Sequence, residues 1–387
     1  MTNIVSPNQH IDKDIIDKKT LMSIIKKEKT PLYIYDKNII IKHLNIIRKI
    51  NCQLFYSIKA NPNDKIIEFF YKENGYFEAA SIGELKKVLK YSKDLSKTIF
   101  VGPAKTKLEL EFAIKNNIYL IVVESITELK RIEVIGKKLG KNINILLRVN
   151  PYFNSGGAIN MSGITQFGLE KKEVIRIIKK NYSNIIIRGL HFYLGTNILN
   201  AKKIIANING IIEIANDIRK YRSFEIIDIG AGFGVPYYSQ DNELDIDYLI
   251  NHINKIIANN KKIKFILELG RFLVAKSGIF IAKVIDIKTN FDKKFVLLNG
   301  GTNFFGLNSK FGGFRVSPIR VLNNKRKREI VTIVGNLCTS SDILANNILI
   351  EKMEIGDYVA FYQAGAYSFS ASPLSFLSHN LPKEMLK

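Results

Sequence analysis

Five short stretches of the 387-residue chain bring together residue types that do chemistry. Lys59, in Tyr56-Ser57-Ile58-Lys59-Ala60-Asn61-Pro62, offers an amine able to attack a carbonyl carbon. His191 is followed by Phe192-Tyr193-Leu194-Gly195-Thr196. Asp228-Ile229-Gly230-Ala231-Gly232-Phe233-Gly234 spaces its glycines closely enough for backbone N–H groups to approach an anion. Glu268-Leu269-Gly270-Arg271 sets a carboxylate beside a guanidinium, and Cys338-Thr339-Ser340-Ser341-Asp342 places a thiol in a polar run. Each stretch alone has an ordinary reading: a solvated lysine, a structural histidine, a structural ion pair, a small buried hydrophobe. The glycine stretch also looks like a dinucleotide fingerprint, but it lacks the full spacing and no helix opens directly after it.

The elements that must position these residues show in the hydrophobic pattern. β-Branched apolar runs fall near residues 54–58, 76–80, 98–101, 119–123, 144–149, 185–192, 225–229 and 264–267. Helical spacing fills the intervals, at 64–72, 83–91, 105–115, 126–139, 171–180, 201–220 and 246–259. Ser81 and Ser125 each precede a glutamate by three residues, the capping-box pattern. This alternation predicts an α/β fold, a (β/α)8 barrel over 37–275, although an open doubly wound sheet would alternate in the same way. After Arg271 strands follow one another with little helix, near 278–288, 295–298, 330–334 and 358–362, which predicts a C-terminal antiparallel β domain. Residues 1–36 and 276–387 are assigned to that β-rich part; the strand-like run Leu32–Asp36 could join either part.

On this scaffold Lys59, His191, the glycine loop and Glu268 fall at the C-terminal ends of barrel strands, where barrel enzymes keep their active sites. An amine, an aromatic base, a phosphate loop and a carboxylate around one mouth match what pyridoxal 5'-phosphate requires.

Composition narrows the partners. The balance of 58 Lys+Arg against 35 Asp+Glu gives +23, but the basic residues are spread along the chain and no nucleic-acid motif accompanies them. The one dense run, Lys325-Arg326-Lys327-Arg328, follows Asn323-Asn324 and reads as a loop. No apolar stretch reaches the length of a membrane span, and Met1 to Pro7 lack the pattern of a signal peptide, so the expectation is a cytoplasmic protein. Two distant cysteines, Cys52 and Cys338, support neither a disulfide framework nor a metal site.

The same stretches, taken in order, resemble the alanine-racemase-like pyridoxal-phosphate decarboxylases, which act on diaminopimelate, ornithine or arginine. The resemblance runs from Thr30-Pro31-Leu32-Tyr33 to Leu374-Ser375-Phe376 and includes Ser81-Ile82-Gly83-Glu84-Leu85 and Gly365-Ala366-Tyr367. It implies that Lys59 forms an internal aldimine and that His191 stacks on the cofactor ring. It implies that Thr196, Gly230, Ala231, Gly232, Gly270, Arg271 and Tyr367 hold the phosphate. Glu268 would keep the ring nitrogen protonated, favouring decarboxylation through an external aldimine and quinonoid over racemisation. Cys338, as general acid, and Asp342 would come from the neighbouring subunit of a homodimer.

Departures from the family pattern gather on the substrate side. Thr339 stands where diaminopimelate decarboxylases usually have a glutamate for the distal ammonium, and Tyr193 replaces a second histidine. After Gly300-Gly301-Thr302-Asn303 the first arginine is Arg315. The stretch around Cys338 looks closer to decarboxylases of secondary biosynthesis, including one acting on glutamate tethered to an acyl-carrier protein. An acidic carrier would suit the basic chain. A regulatory homologue without catalysis is a further possibility, against which the retention of Lys59, Glu268 and Cys338 speaks.

Overall fold

The structure, a computed structural model, describes residues 10–152, 163–306, 316–322 and 326–387, and the backbone of 159–160. It divides into two compact units: Asn45–Gly234 with Leu244–Gly270, and Met1–Leu44 with Val235–Glu243 and Arg271–Lys387.

The first unit is a closed barrel of eight strands: β1 (Gln53–Ser57), β2 (Tyr76–Ala79), β3 (Thr98–Phe100), β4 (Leu120–Val123), β5 (Ile143–Arg148), β6 (Ile185–His191), β7 (Ile226–Ala231) and β8 (Lys264–Leu269). All neighbours pair in parallel. The pairing of β8 with β1, Glu268 opposite Phe55 and Leu269 opposite Tyr56, closes the ring and removes the open-sheet alternative. Phe55, Ile99, Leu120, Val122, Leu146, Ile226 and Ile266 fill the interior, each such buried side chain contributing about 1.5–3 kcal/mol.

Helices occupy the seven intervals with small shifts at their ends. The third begins at Lys107 rather than Lys105, because Thr106 caps it through a reciprocal capping box with Glu109. Lys105 itself is buried, donating to Gly102 O, Val122 O and Glu128 Oε1. Ser81 and Ser125 accept the N–H groups of Glu84 and Glu128 as expected. The two glutamates return their bonds one residue further back, to the N–H groups of Ala80 and Glu124.

The second unit is built on a sheet ordered Ile319–Val321, Tyr358–Tyr362, Gly278–Asn290, Lys293–Leu298, Arg328–Val334, Ile343–Glu351. Leu32–Tyr35 joins it beside Gly278–Asn290, with Lys383–Leu386 outside it. The sheet is antiparallel except that Lys293–Leu298 runs parallel to Arg328–Val334, and Leu32–Tyr35 to Lys383–Leu386. Ile343–Glu351 escapes a pattern-based reading because Asn346-Asn347 interrupt it. Asn347 takes φ 49°, and the Asn346 side chain accepts from Thr332 and Lys293. The expected basic loop is largely neutralised: Arg326 pairs with Glu354 and Asp357, and Arg328 opens a strand and pairs with Glu351. Lys325 lies outside the described residues. No helix among the described residues is long and apolar enough to cross a membrane.

Candidate active site

Strand register sets the charged groups of the barrel mouth side by side. Ser57 lies opposite Glu78, Glu268 opposite Phe55, Asp228 opposite His191, and His191 opposite Arg148. Lys59 is not the last residue of β1, which ends at Ser57; it sits in a single 3-10 turn, Ile58–Ala60. That turn seats against Gly270, where a Cβ would lie 2.5 Å from Ala60 Cβ and 3.0 Å from Ser57 O, so no larger residue fits there. Lys59 Nζ donates to Glu78 Oε1 at 2.8 Å and stands 5.2 Å from the centroid of the Tyr193 ring.

Burial governs the ionisation of this cluster. Glu78 is wholly buried and its carboxyl is raised, desolvation outweighing the Lys59 ammonium beside it. Burial also pushes Glu84, on the following helix, up to about 7. Glu268 is desolvated as well, but His191 and Lys59 outweigh that cost and hold its carboxyl below the ordinary range. His191 is 1% exposed with Nε2 3.6 Å from Glu268 Oε2, and neither of its ring nitrogens has a hydrogen-bond partner. Arg148 is engaged by Glu124 at 2.9 Å and lies over the Phe167 ring.

The glycine loop leaves β7 through three consecutive positive φ values, 59° at Gly230, 94° at Ala231 and 63° at Gly232. At Gly230 a Cβ would meet Phe192 O at 2.6 Å, and at Gly232 it would meet Gly195 O at 2.2 Å. Glycine is therefore obligatory at both positions, and the Gly195-Thr196 segment packs directly on the loop. Successive left-handed residues turn backbone N–H groups towards one side, as an anion cradle requires.

These features fit pyridoxal phosphate. A histidine with unpartnered ring nitrogens, the buried Glu268 carboxylate beside it, a lysine held by a carboxylate and a glycine cradle together suit one cofactor. Residues 37–275 match the pyridoxal binding domain of the pyridoxal-dependent decarboxylases. The chain belongs to this family. It is a pyridoxal-phosphate-dependent amino-acid decarboxylase, similar over 96% of its length, at 31% identity, to the Niallia circulans decarboxylase of L-glutamyl-BtrI acyl-carrier protein, 92% of which is covered. It is 33% identical over 91% of its length to the 2-((L-alanin-3-ylcarbamoyl)methyl)-2-hydroxybutanedioate decarboxylase of Staphylococcus aureus, again covering 92% of that protein. The diaminopimelate decarboxylase of Helicobacter pylori, solved with L-lysine, superposes with a TM-score of 0.87 at 27% identity, covering 95% of this chain and 94% of that one.

The remaining expected residues of the decarboxylase lie in the sheet unit. Arg271 opens a short helix directly after Gly270, donates to Tyr237 Oη at 2.9 Å and stands 4.6 Å from the centroid of the Tyr367 ring. Tyr367 takes φ 60° just after Gly365, where a Cβ would meet Val274 O at 1.8 Å. Cys338 and Thr339 are exposed. Asp342 is buried, and both its oxygens are engaged: Oδ1 accepts from the Thr302 N–H and hydroxyl, Oδ2 from the Leu337 N–H. Arg315 lies outside the described residues.

The sequence reading passed over Glu78 and Asp228. Each stands near the C-terminal end of a buried strand, where a carboxylate is unexpected in an apolar run, and that misfit was the available signal.

Proposed function

We propose that this enzyme decarboxylates an amino acid whose distal end is not an ammonium group, carrier-protein-tethered glutamate being one such substrate. The observation that carries this reading is Thr339, a neutral and exposed residue beside Cys338 where a diaminopimelate site would need an anion. The two relatives above, decarboxylases of a carrier-bound glutamyl group and of a substituted hydroxybutanedioate, support it. The formal charge of +23 also suits an acidic carrier.

In this reading Lys59 would hold the cofactor through its amine, and Glu78 would accept a hydrogen bond from that amine whenever it is free. Bound pyridoxal phosphate supplies an electron-poor ring that takes the electron pair left at the α-carbon as carbon dioxide departs. His191 would lie against the ring, and Glu268 would hold a proton on its nitrogen. Thr196, Gly230, Ala231, Gly232, Gly270, Arg271 and Tyr367 bind the phosphate. Cys338 delivers a proton to the α-carbon. Because the Cys338 loop is exposed on its own chain while Asp342 anchors its base, we assign it to the active site of a second copy in a homodimer. Asp342 shapes that loop rather than touching the substrate, its oxygens being spent on Thr302 and Leu337. Two free cysteines suit the cytoplasm, where thiols stay reduced.

The test is carbon dioxide release from free diaminopimelate, ornithine and glutamate and from glutamyl carrier protein. Release from the carrier-bound or other non-ammonium substrate is expected. Equal turnover of free diaminopimelate overturns the reading.

A further inference from the structure

Three buried carboxylate oxygens among the described residues of the barrel unit face no donor: Glu78 Oε2, and a pair on neighbouring strands. Asp228 Oδ2 and Glu268 Oε1 are both sealed from solvent without a hydrogen-bond partner. One polar atom from each of His191, Asp228 and Glu268 lies within 4.8 Å of the other two. If both acids were ionised, two like charges would stand together in a site shut off from water. The neighbouring cations favour the Glu268 charge and leave Asp228 without one of its own. Lys59 is held by Glu78 at 2.8 Å, and His191 Nε2 faces the other oxygen of Glu268, Oε2, at 3.6 Å. Burial keeps the nearby Cys52 thiol protonated. Asp228 Oδ1 is already occupied, accepting the Gly230 N–H at 3.0 Å. A single proton placed between Asp228 Oδ2 and Glu268 Oε1 satisfies both orphaned oxygens and removes the repulsion.

We propose that Asp228 is a positioning residue that keeps its carboxyl proton at neutral pH and donates it to Glu268 Oε1, so that the pair carries one negative charge, displayed on Glu268 Oε2. Burial first, and then the Glu268 charge, hold the Asp228 carboxyl well above the usual carboxylate range. The donated hydrogen bond makes Glu268 a weaker base, which leaves the proton on whatever nitrogen Glu268 faces. Through Gly230 the same side chain also fixes the start of the glycine loop, so one carboxyl group ties the ring-nitrogen partner to the phosphate cradle. This consequence rests on the proposed role of Glu268; the shared proton does not.

The test is infrared spectroscopy of the full-length, cofactor-loaded protein at neutral pH, wild type against Asp228→Asn. The difference between wild type and Asp228→Asn should show the carbonyl band of a protonated carboxylic acid, shifting in heavy water, above the contribution that Glu78 and Glu84 make to both proteins. A difference spectrum without that band overturns the proposal. So does one equivalent of divalent metal in the purified wild type, because an ion would then hold the three groups. Asp228→Asn retains a donor and should keep cofactor affinity within a fewfold of wild type. Asp228→Leu, of similar size but without a donor, should weaken retention on dialysis by at least about tenfold, the loss expected for a hydrogen bond to a charged group. Equal retention by the asparagine and leucine variants removes the positioning role. Failure of the decarboxylase reading would appear separately, as no carbon dioxide release from a wild type that still shows the band.

Discussion

The barrel mouth and the Cys338 loop solve opposite problems. In the barrel, Glu78, His191, Asp228 and Glu268 are at most 3% exposed, and their ionisation is set by burial and by one another. In the sheet unit, Cys338 to Ser341 are exposed, and their geometry is set from below by the buried Asp342. Cofactor chemistry needs charges removed from water, where each is worth more and must be matched. A loop that meets a variable substrate is instead free to change residue without disturbing a core. In the proposed reading the contrast accounts for the departure at Thr339, which is exposed; Tyr193, half-buried beside Lys59, departs on the barrel side.

Replacing Lys59 by Ala tests the buried side with the largest effect. Carbon dioxide release should fall by roughly a thousandfold or more, and the absorbance of lysine-bound cofactor should vanish. Normal activity in this variant would mean that the barrel mouth is not the reacting centre. On the loop side, Cys338→Ala should lower activity by about a hundredfold and leave the cofactor spectrum unchanged. If sites are shared between subunits, mixing and re-associating the two inactive variants should restore roughly a quarter of wild-type activity, one intact site in each mixed dimer. No recovery in verified mixed dimers would place Cys338 and Lys59 in the same subunit's site.

How much was legible follows the same division. Buried parallel strands are near-continuous apolar runs, so the barrel and the strand-end positions of His191 and Glu268 could be read from hydrophobicity alone. Closure could not, because the pairing of Glu268 with Phe55 joins residues more than two hundred apart in sequence and leaves no local trace. Lys59 was placed two residues too far along its strand, since the 3-10 turn depends on the fit of Gly270 against Ala60. The anchoring of Asp342 is equally silent in the sequence, because its bonds to Thr302 span forty residues and show only in three dimensions.

The next prediction sharpens the comparison from the exposed side. Thr339→Glu should raise turnover of free diaminopimelate, relative to the native substrate, by about tenfold or more, since a site that pairs a polar group rejects analogues lacking it. Thermal stability should change little, because Thr339 is exposed and its hydroxyl bonds only within its own loop, to Ser341. A large loss of stability would show that the loop is not as separable from the core as its exposure implies.

The smallest effect is expected from Glu84, which lies on the buried side and titrates where the loop does not. Burial raises its carboxyl from 4.5 to about 7, with Glu78 adding to the rise and Lys59 and Lys87 opposing it. A carboxyl raised on folding favours the folded state most fully below pH 4.5, and that contribution is lost as the pH climbs through about 7. Glu84→Gln removes the ionisation while keeping an oxygen for the Ala80 N–H. The variant should therefore gain on the wild type as pH rises from 4.5 to 8, by roughly 1–2 kcal/mol once partial exposure is allowed for. Denaturant midpoints at the two ends of that range measure it. Parallel pH profiles for the two proteins would mean that Glu84 is ionised at little cost, and that water reaches further into the barrel mouth than its burial suggests.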